Sequence, residues 1–232
     1  MGVKNIIDYI DLTYSAGNAL DKGDLTVVRY GAGGVNGNTL GFFGGGYNGG
    51  AFNVIDYIDV TTTTGNASDK GDLTISRVSC SGISSPTYGF FLGGISGASY
   101  VNVIDYVDVT TTTGNAIDRG DLLDSRSGSG STQGDLYGFC GGGRDNIDLY
   151  KTSIEYFDLT ILTGNAIDKG DLSEGRHNLA GVGGILYGFC GGGSKASGRT
   201  STIDYIDVTT TTGNAISRGS LTQSRNQLGG AN

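Results

Sequence analysis

The stretch Ile55–Arg77 reads "IDYIDVTTTTGNASDKGDLTISR", and the chain spells it, with small changes, five times. The other copies are "IDYIDLTYSAGNALDKGDLTVVR" from Ile7, "IDYVDVTTTTGNAIDRGDLLDSR" from Ile104, "IEYFDLTILTGNAIDKGDLSEGR" from Ile154 and "IDYIDVTTTTGNAISRGSLTQSR" from Ile203. Their closing arginines are Arg29, Arg77, Arg126, Arg176 and Arg225, so the steps run 48, 49, 50 and 49 residues. A second phrase lies between the copies: "GFFGGG" at Gly41, "GFFLGG" at Gly89, and "GFCGGG" at Gly138 and at Gly188. It occurs four times against five. A period of this length is the signature of a solenoid, a propeller or an array, and it outranks any single-residue clue.

One unit, Tyr88 to Arg126, reads as strands. "YGFFLGG" predicts a buried strand with a tight glycine exit. "NVIDYVDVT" is β-branched, aromatic and alternating, and predicts the next strand. "TTTGNA" turns the chain, with Gly114 and Asn115 suited to positive φ. "GDLLDSR" predicts a third, short strand, and the small residues of "SGSGSTQGD", "VSCSGIS" and "HNLAGVGG" a fourth. No long segment shows a 3.6-residue apolar period, so the chain is expected to be all-β. Four short strands in about 50 residues is the arithmetic of a β-propeller. The alternative is a β-solenoid, whose coils are usually shorter. Residues 1–232 are expected to form one domain of about five blades, from repeats starting near 5, 53, 102, 152 and 201. The chain opens on the tyrosine-bearing strand and stops in "NQLGGAN", a small-residue strand. The expectation is a ring closed by the N- and C-terminal strands with one blade incomplete, or a ring completed by another chain. A truncated reading frame is a further alternative.

Composition narrows the classes. Glycine stands at 44 of 232 residues with one proline, but no three-residue period of the collagen kind runs through them. The net charge is −8, and the basic residues are scattered rather than clustered, which disfavours nucleic acid and anionic membranes as partners. "MGVKNIIDYIDL" carries no signal-peptide pattern, and its match to a myristoylation start fails at Ile6. Cys80, Cys140 and Cys190 make no disulfide framework. Cys140 and Cys190 stand where Phe43 and Phe91 stand in earlier copies, so they read as small buried apolar residues of a chain made in a reducing cytoplasm.

An aromatic strand ending in glycines, then a strand with tyrosine, then a short strand ending in arginine, resembles the kelch repeat. It lacks the usual tryptophan, near whose place stand Leu25, Leu73, Leu122, Leu172 and Leu221. The wording "GFFGGG", "IDYID", "GNA" and "GDLT" is similar to kelch-like repeats in structural proteins of tailed phages of marine bacteria. The resemblance covers nearly the whole chain. It implies a kelch-like propeller, and a non-enzymatic virion component of a tail fibre, tail tip or capsid surface. Such a protein is made in the host cytoplasm, reaches the outside by lysis, and binds other virion proteins or host-surface glycans. Homo-oligomers are compatible with it. The alternatives are an intracellular kelch-type interaction scaffold and a carbohydrate-active enzyme.

The residues argue against chemistry. The kelch fold includes a copper oxidase, but a copper site of that kind needs several histidines and this chain offers only His177. A zinc site or a Ser-His-Asp triad fails on the same count. "GFFGGG" lacks the ending of a phosphate loop. Paired acids recur in every copy, at Asp8 and Asp11, Asp56 and Asp59, Asp105 and Asp108, Glu155 and Asp158, and Asp204 and Asp207. A single active site does not require such recurrence, which favours turn hydrogen bonds or pairing with each blade's arginine. "DNID" at Asp145 and "DKGD" at Asp69 leave calcium open, although neither has EF-hand spacing. No catalytic residue, cofactor or metal ligand is therefore assigned. The individual surface lies in the loops between the glycine strand and "IDYID". The candidate binding residues there are Tyr47, Tyr100, Arg144, Asp145, Asn146, Tyr150, Lys151, Lys195 and Arg199.

Overall fold

A computed structural model describes residues 3–230 apart from 12, 14, 15 and 148, so the first two residues of "MGVKNI" and the last two of "NQLGGAN" lie outside it. Among the described residues every regular element is a strand. Strands β1 (Ile6–Tyr9) and β2 (Leu20–Asp24) form a two-stranded pair. Four antiparallel sheets of four strands follow. The first holds β3 (Gly33–Asn36), β4 (Leu40–Gly44), β5 (Val54–Asp59) and β6 (Ser68–Asp72). The second holds β7 (Ser81–Ser84), β8 (Tyr88–Leu92), β11 (Val103–Asp108) and β12 (Ile117–Asp121), with the hairpin β9 (Ile95–Ser96) and β10 (Ser99–Tyr100) inserted after β8. The third holds β13 (Gly130–Gln133), β14 (Tyr137–Gly141), β15 (Ser153–Asp158) and β16 (Ile167–Asp171). The fourth holds β17 (Ala180–Val182), β18 (Tyr187–Gly191), β21 (Thr202–Asp207) and β22 (Ile216–Ser220), with the hairpin β19 (Ser194–Lys195) and β20 (Gly198–Arg199) after β18.

Register explains the cysteines. Phe43 faces Asp56, Phe91 faces Asp105, Cys140 faces Glu155 and Cys190 faces Asp204, so the four residues occupy one site in successive sheets. The three thiols are free and buried. Burial pushes the Cys190 thiol up to about 12 and raises Cys80 and Cys140 as well.

Two expectations change. The outer strand is "IDRGD" rather than "GDLLDSR": the pairing slips by a bulge between Ile104 and Asp105, beside Gly120 at φ +139°, and ends at Asp121. The chain then turns inward, burying Leu122 and Arg126 in the core, so no ladder continues. The tail "NQLGG" forms no strand among the described residues. It nevertheless stacks where such a strand would. A Cβ on Gly230 would sit 1.9 Å from the Gly181 carbonyl oxygen, as one on Gly181 would from Ser131 O (1.9 Å) and one on Gly82 from Gly34 O (2.0 Å). Only glycine permits that approach of neighbouring first strands.

The core lies between sheets rather than inside any one. Phe42 and Tyr57 of the first sheet pack with Val107, Val109 and Ala116 of the second. Phe90, Tyr88 and Tyr106 meet Phe157, Leu159 and Ala166 of the third, and Phe139, Tyr137 and Tyr156 meet Ile206, Val208 and Ala215 of the fourth. The joints between the four sheets thus press a knob set from one repeat, aliphatic except for Phe157, into an aromatic hollow of the repeat before it.

Polar residues fasten the same joints. Four of the five closing arginines pair with the first acid of the next repeat: Arg29 with Asp56 at 3.0 Å, Arg77 with Asp105 at 2.9 Å, Arg176 with Asp204 at 2.9 Å, and Arg126 with Glu155. These side chains are essentially inaccessible to water. Hydroxyls of Thr26, Thr74 and Ser173 donate to the three aspartates. At the third joint that position is Leu123, which has no hydroxyl, and there the acid is the longer Glu155, which reaches the Leu123 N–H instead. The "GNA" turn clips onto the preceding sheet. Asn66, Asn115, Asn165 and Asn214 side-chain oxygens each accept from a backbone N–H of the previous repeat at 3.0 Å. Lys22, Lys70 and Lys169 reach forward to carbonyls at Thr62, Thr111 and Thr210, and Arg119 to that of Ile161. The repeated words are therefore the words of the joint. The second acids do the other job foreseen for them, capping a turn. Hydroxyl and then N–H bonds from the threonine two residues on hold Asp11, Asp59, Asp108 and Asp207 below the usual carboxylate range.

Candidate binding site

The loops that leave the second strands share one end of the sheets, because each is tied by a backbone bridge to the residue just after a closing arginine. The bridges are Tyr30 with Tyr47, Val78 with Ile95, Ser127 with Arg144, and His177 with Ser194. The glycine pair that opens each loop makes the tie possible. Gly45, at φ +72°, would place a Cβ 2.4 Å from the Arg77 carbonyl oxygen.

Most of the sequence-derived binding residues gather in one cluster. Arg144 lies over the Tyr150 ring at 5.8 Å, and Tyr150 stands 5.2 Å from the His177 ring. The Asn146 side chain accepts from the Tyr100 N–H at 3.0 Å, joining the second loop to the third. Asp145 is buried and holds the loop in shape, accepting from the N–H groups of Ile147 and Leu149. Its other oxygen pairs with Lys151 at 3.0 Å, and Lys151 also reaches Asp124 at 3.4 Å. Tyr47 lies outside this cluster and stacks at a tilt on Tyr30, 5.7 Å away. Lys195 and the exposed Arg199 stand on the β19–β20 hairpin, adjacent to His177 through its backbone bridge to Ser194. Asp148 of "DNID" is outside the described residues, and among those described no three His, Cys, Asp or Glu side chains gather as a metal site would require.

Sequence reading missed Tyr30, Glu174 and His177 as members of this surface. Their signal is positional: they flank closing arginines, where the copies differ from one another. Burial pushes the His177 imidazole below its usual range, against the Ser194 carbonyl and with help from Arg144. Glu174 binds Lys195, Thr200 and Thr202. Burial opposes its charge, but these hydrogen bonds outweigh burial and bring its pKa to about 2. A carboxyl whose folded pKa lies below its unfolded 4.5 stabilises the fold above that pH, and the gain drains away as pH falls towards about 2. Glu174→Gln is therefore expected to flatten the fall in melting temperature between about pH 4.5 and 2; an unchanged acid limb would contradict this.

A hollow of about 570 Å³ runs between the first strands and is walled by Gly31–Asn36, Ser79–Gly82, Gly128, Ser129, Ser131, Asn178–Gly181 and Gln227–Gly230. Among the described residues, no Asp, Glu, His, Lys or Arg lines it. The loop surface offers aromatic faces, an amide and an imidazole, while Lys151 and Lys195 are already paired with acids. That set suits contact with a polar, ring-bearing ligand better than proton transfer. No family model matches the chain, and no curated protein matches it.

Proposed function

We propose that the chain is a non-enzymatic structural component of a phage particle, a kelch-like β-propeller of a tail fibre, tail tip or capsid surface. In this reading the four sheets are blades of a ring of about five, and the fifth is assembled from N- and C-terminal strands of one chain or of two. The loop surface around Tyr100, Arg144, Asn146, Tyr150 and His177 makes the contact, with other virion proteins or with host-surface glycans. The observation that carries the reading is the contrast between joints and loops. The joints repeat the same arginine, acid and asparagine contacts four times, while the loops beside them differ in every copy. A frame that holds its geometry while one surface varies is how repeat folds present a binding face. At the four joints the recurring arginines and first acids hold one another, which supports a structural rather than a catalytic use for them.

The test is mass spectrometry of purified particles of the phage that encodes the chain, with immunogold labelling to place it. A stoichiometric presence on the particle is expected. Its absence from particles would overturn the proposal, and recovery with a host cytosolic partner would favour the intracellular scaffold instead.

A further inference from the structure

Four joints are made inside the chain, yet the repeats carry the parts for five. The closing arginine of the last copy, Arg225, is exposed and contacts only the Thr222 hydroxyl, at 3.5 Å. The first acid of the first copy, Asp8, is exposed too, whereas Asp56, Asp105, Glu155 and Asp204 are at most 1% accessible. The surrounding residues match in kind. Tyr187, Phe189 and Tyr205 form the aromatic hollow of the fourth sheet, open to solvent with Ile216 and Arg218 on its rim. Their counterparts in the second and third sheets are filled by the next repeat. The first repeat holds the knobs in the same positions, Ile10 at 60% accessibility and an exposed Ala19, where Val107, Ile206 and Ala116 are buried in their joints. Arg218 is exposed, while Lys22, Lys70, Arg119 and Lys169 are about 5% accessible or less. Even the pairing rule found at the third joint is obeyed: Thr222 offers a hydroxyl, and the acid opposite it would be an aspartate, Asp8.

Among the described residues no hydrogen bond, backbone bridge or ion pair joins the Asp8 edge to the Arg225 edge. A Cβ on Gly34 would find within 4 Å only the Phe42 carbonyl of its own sheet, and nothing from the tail at 226–230. We propose that the fifth joint forms between two copies of the chain. The Arg225 edge of one copy, with its Tyr187–Phe189–Tyr205 hollow, takes the Asp8–Ile10–Ala19 edge of the next, head to tail. Two different patches meet, so the contact is heterologous: it closes a ring of copies or continues as a helix. The inference does not depend on the particle reading, since it concerns purified protein.

The test is sedimentation velocity of the purified 232-residue chain across a hundredfold range of concentration. Mass is expected to rise above the monomer with concentration. Asp8→Ala and Arg225→Ala should each weaken association at least tenfold without altering the circular dichroism spectrum, since both side chains are exposed in the single chain. An equimolar mixture of the two variants should give a one-to-one dimer that grows no further, because it contains one intact Arg225 edge and one intact Asp8 edge. A monomer at every concentration, association indifferent to both substitutions, or a monomer whose melting temperature both substitutions lower (a joint closed within the chain) would each overturn the proposal. Neither outcome bears on whether particles contain the protein.

Discussion

Asp105→Ala is expected to lower the unfolding free energy by about 3–5 kcal/mol, the cost of stripping one partner from a buried ion pair. Arg77 would remain in the core with Nη2 on the Phe91 carbonyl and Nη1 on that of Val103, but with no negative charge beside it. The Thr74 hydroxyl and N–H would lose their acceptor as well. The double variant Arg77→Met with Asp105→Leu removes the stranded charge and should recover part of the loss, even though two carbonyls then lack a donor. Urea unfolding of the three variants decides it. A single variant within about 1 kcal/mol of wild type would mean that the joint is open to water, and the burial argument for all four pairs would fall with it.

Phe90→Ala should cost a similar amount, about 3–5 kcal/mol, for a different reason. Phe90 is fully buried, with its ring 5.1 Å from Phe157 of the third sheet and 6.3 Å from Tyr106 of its own. Truncation empties the hollow that receives the third sheet's knobs, and Arg119, which lies over the Phe157 ring at 4.6 Å, loses the surface that holds that ring in place. The mechanism predicts a signature beyond the number. Hydrogen exchange should quicken on both sides of the third joint, in β8 and in β15, and less in β4, which belongs to the joint before. Exchange that accelerated only within the second sheet would show that the sheet, not the joint, is the unit of stability. Calorimetry and exchange on one sample address both points.

The all-β class and the order of the three inner strands of each sheet were legible because period and residue type agree: a glycine-aromatic run, an alternating "IDYID" and a small-residue run leave little choice of element, whereas nothing in the repeat marks the inserted hairpins β9–β10 and β19–β20. The thiol sites were legible from register alone, since Cys140 aligns with Phe91. The outer strand was misplaced because "GDLLDSR" is as β-prone as "IDRGD". What separates them is the inward turn at Leu122, a demand of the next sheet that no local pattern carries. The acids were narrowed to two jobs, turn bonds or arginine pairing, and the structure gives one job to each member of the pair. That the arginine's partner belongs to the following repeat was beyond reach, because spacing along a chain does not say which copy a side chain faces. At the loop surface the tyrosines and the Arg144–Lys151 run stood out by their variation. Glu174 and His177 were hidden by standing beside an arginine that never varies.

The joints also bear on how such a chain changes over generations. Every joint has a leading side, carrying the arginine, and a trailing side, carrying the acid, and each repeat bears one of both. Duplicating or deleting a whole repeat in the gene therefore leaves every arginine facing an acid, so length can alter in one genetic step without new contacts having to arise. A point change on one side, by contrast, is felt by its neighbour, and the coupled pair Leu123 and Glu155 has the form such a paired replacement would leave. Unequal recombination would then be gentle on this protein where single substitutions in the joints are harsh, and near-identical wording in the copies is what that asymmetry would preserve.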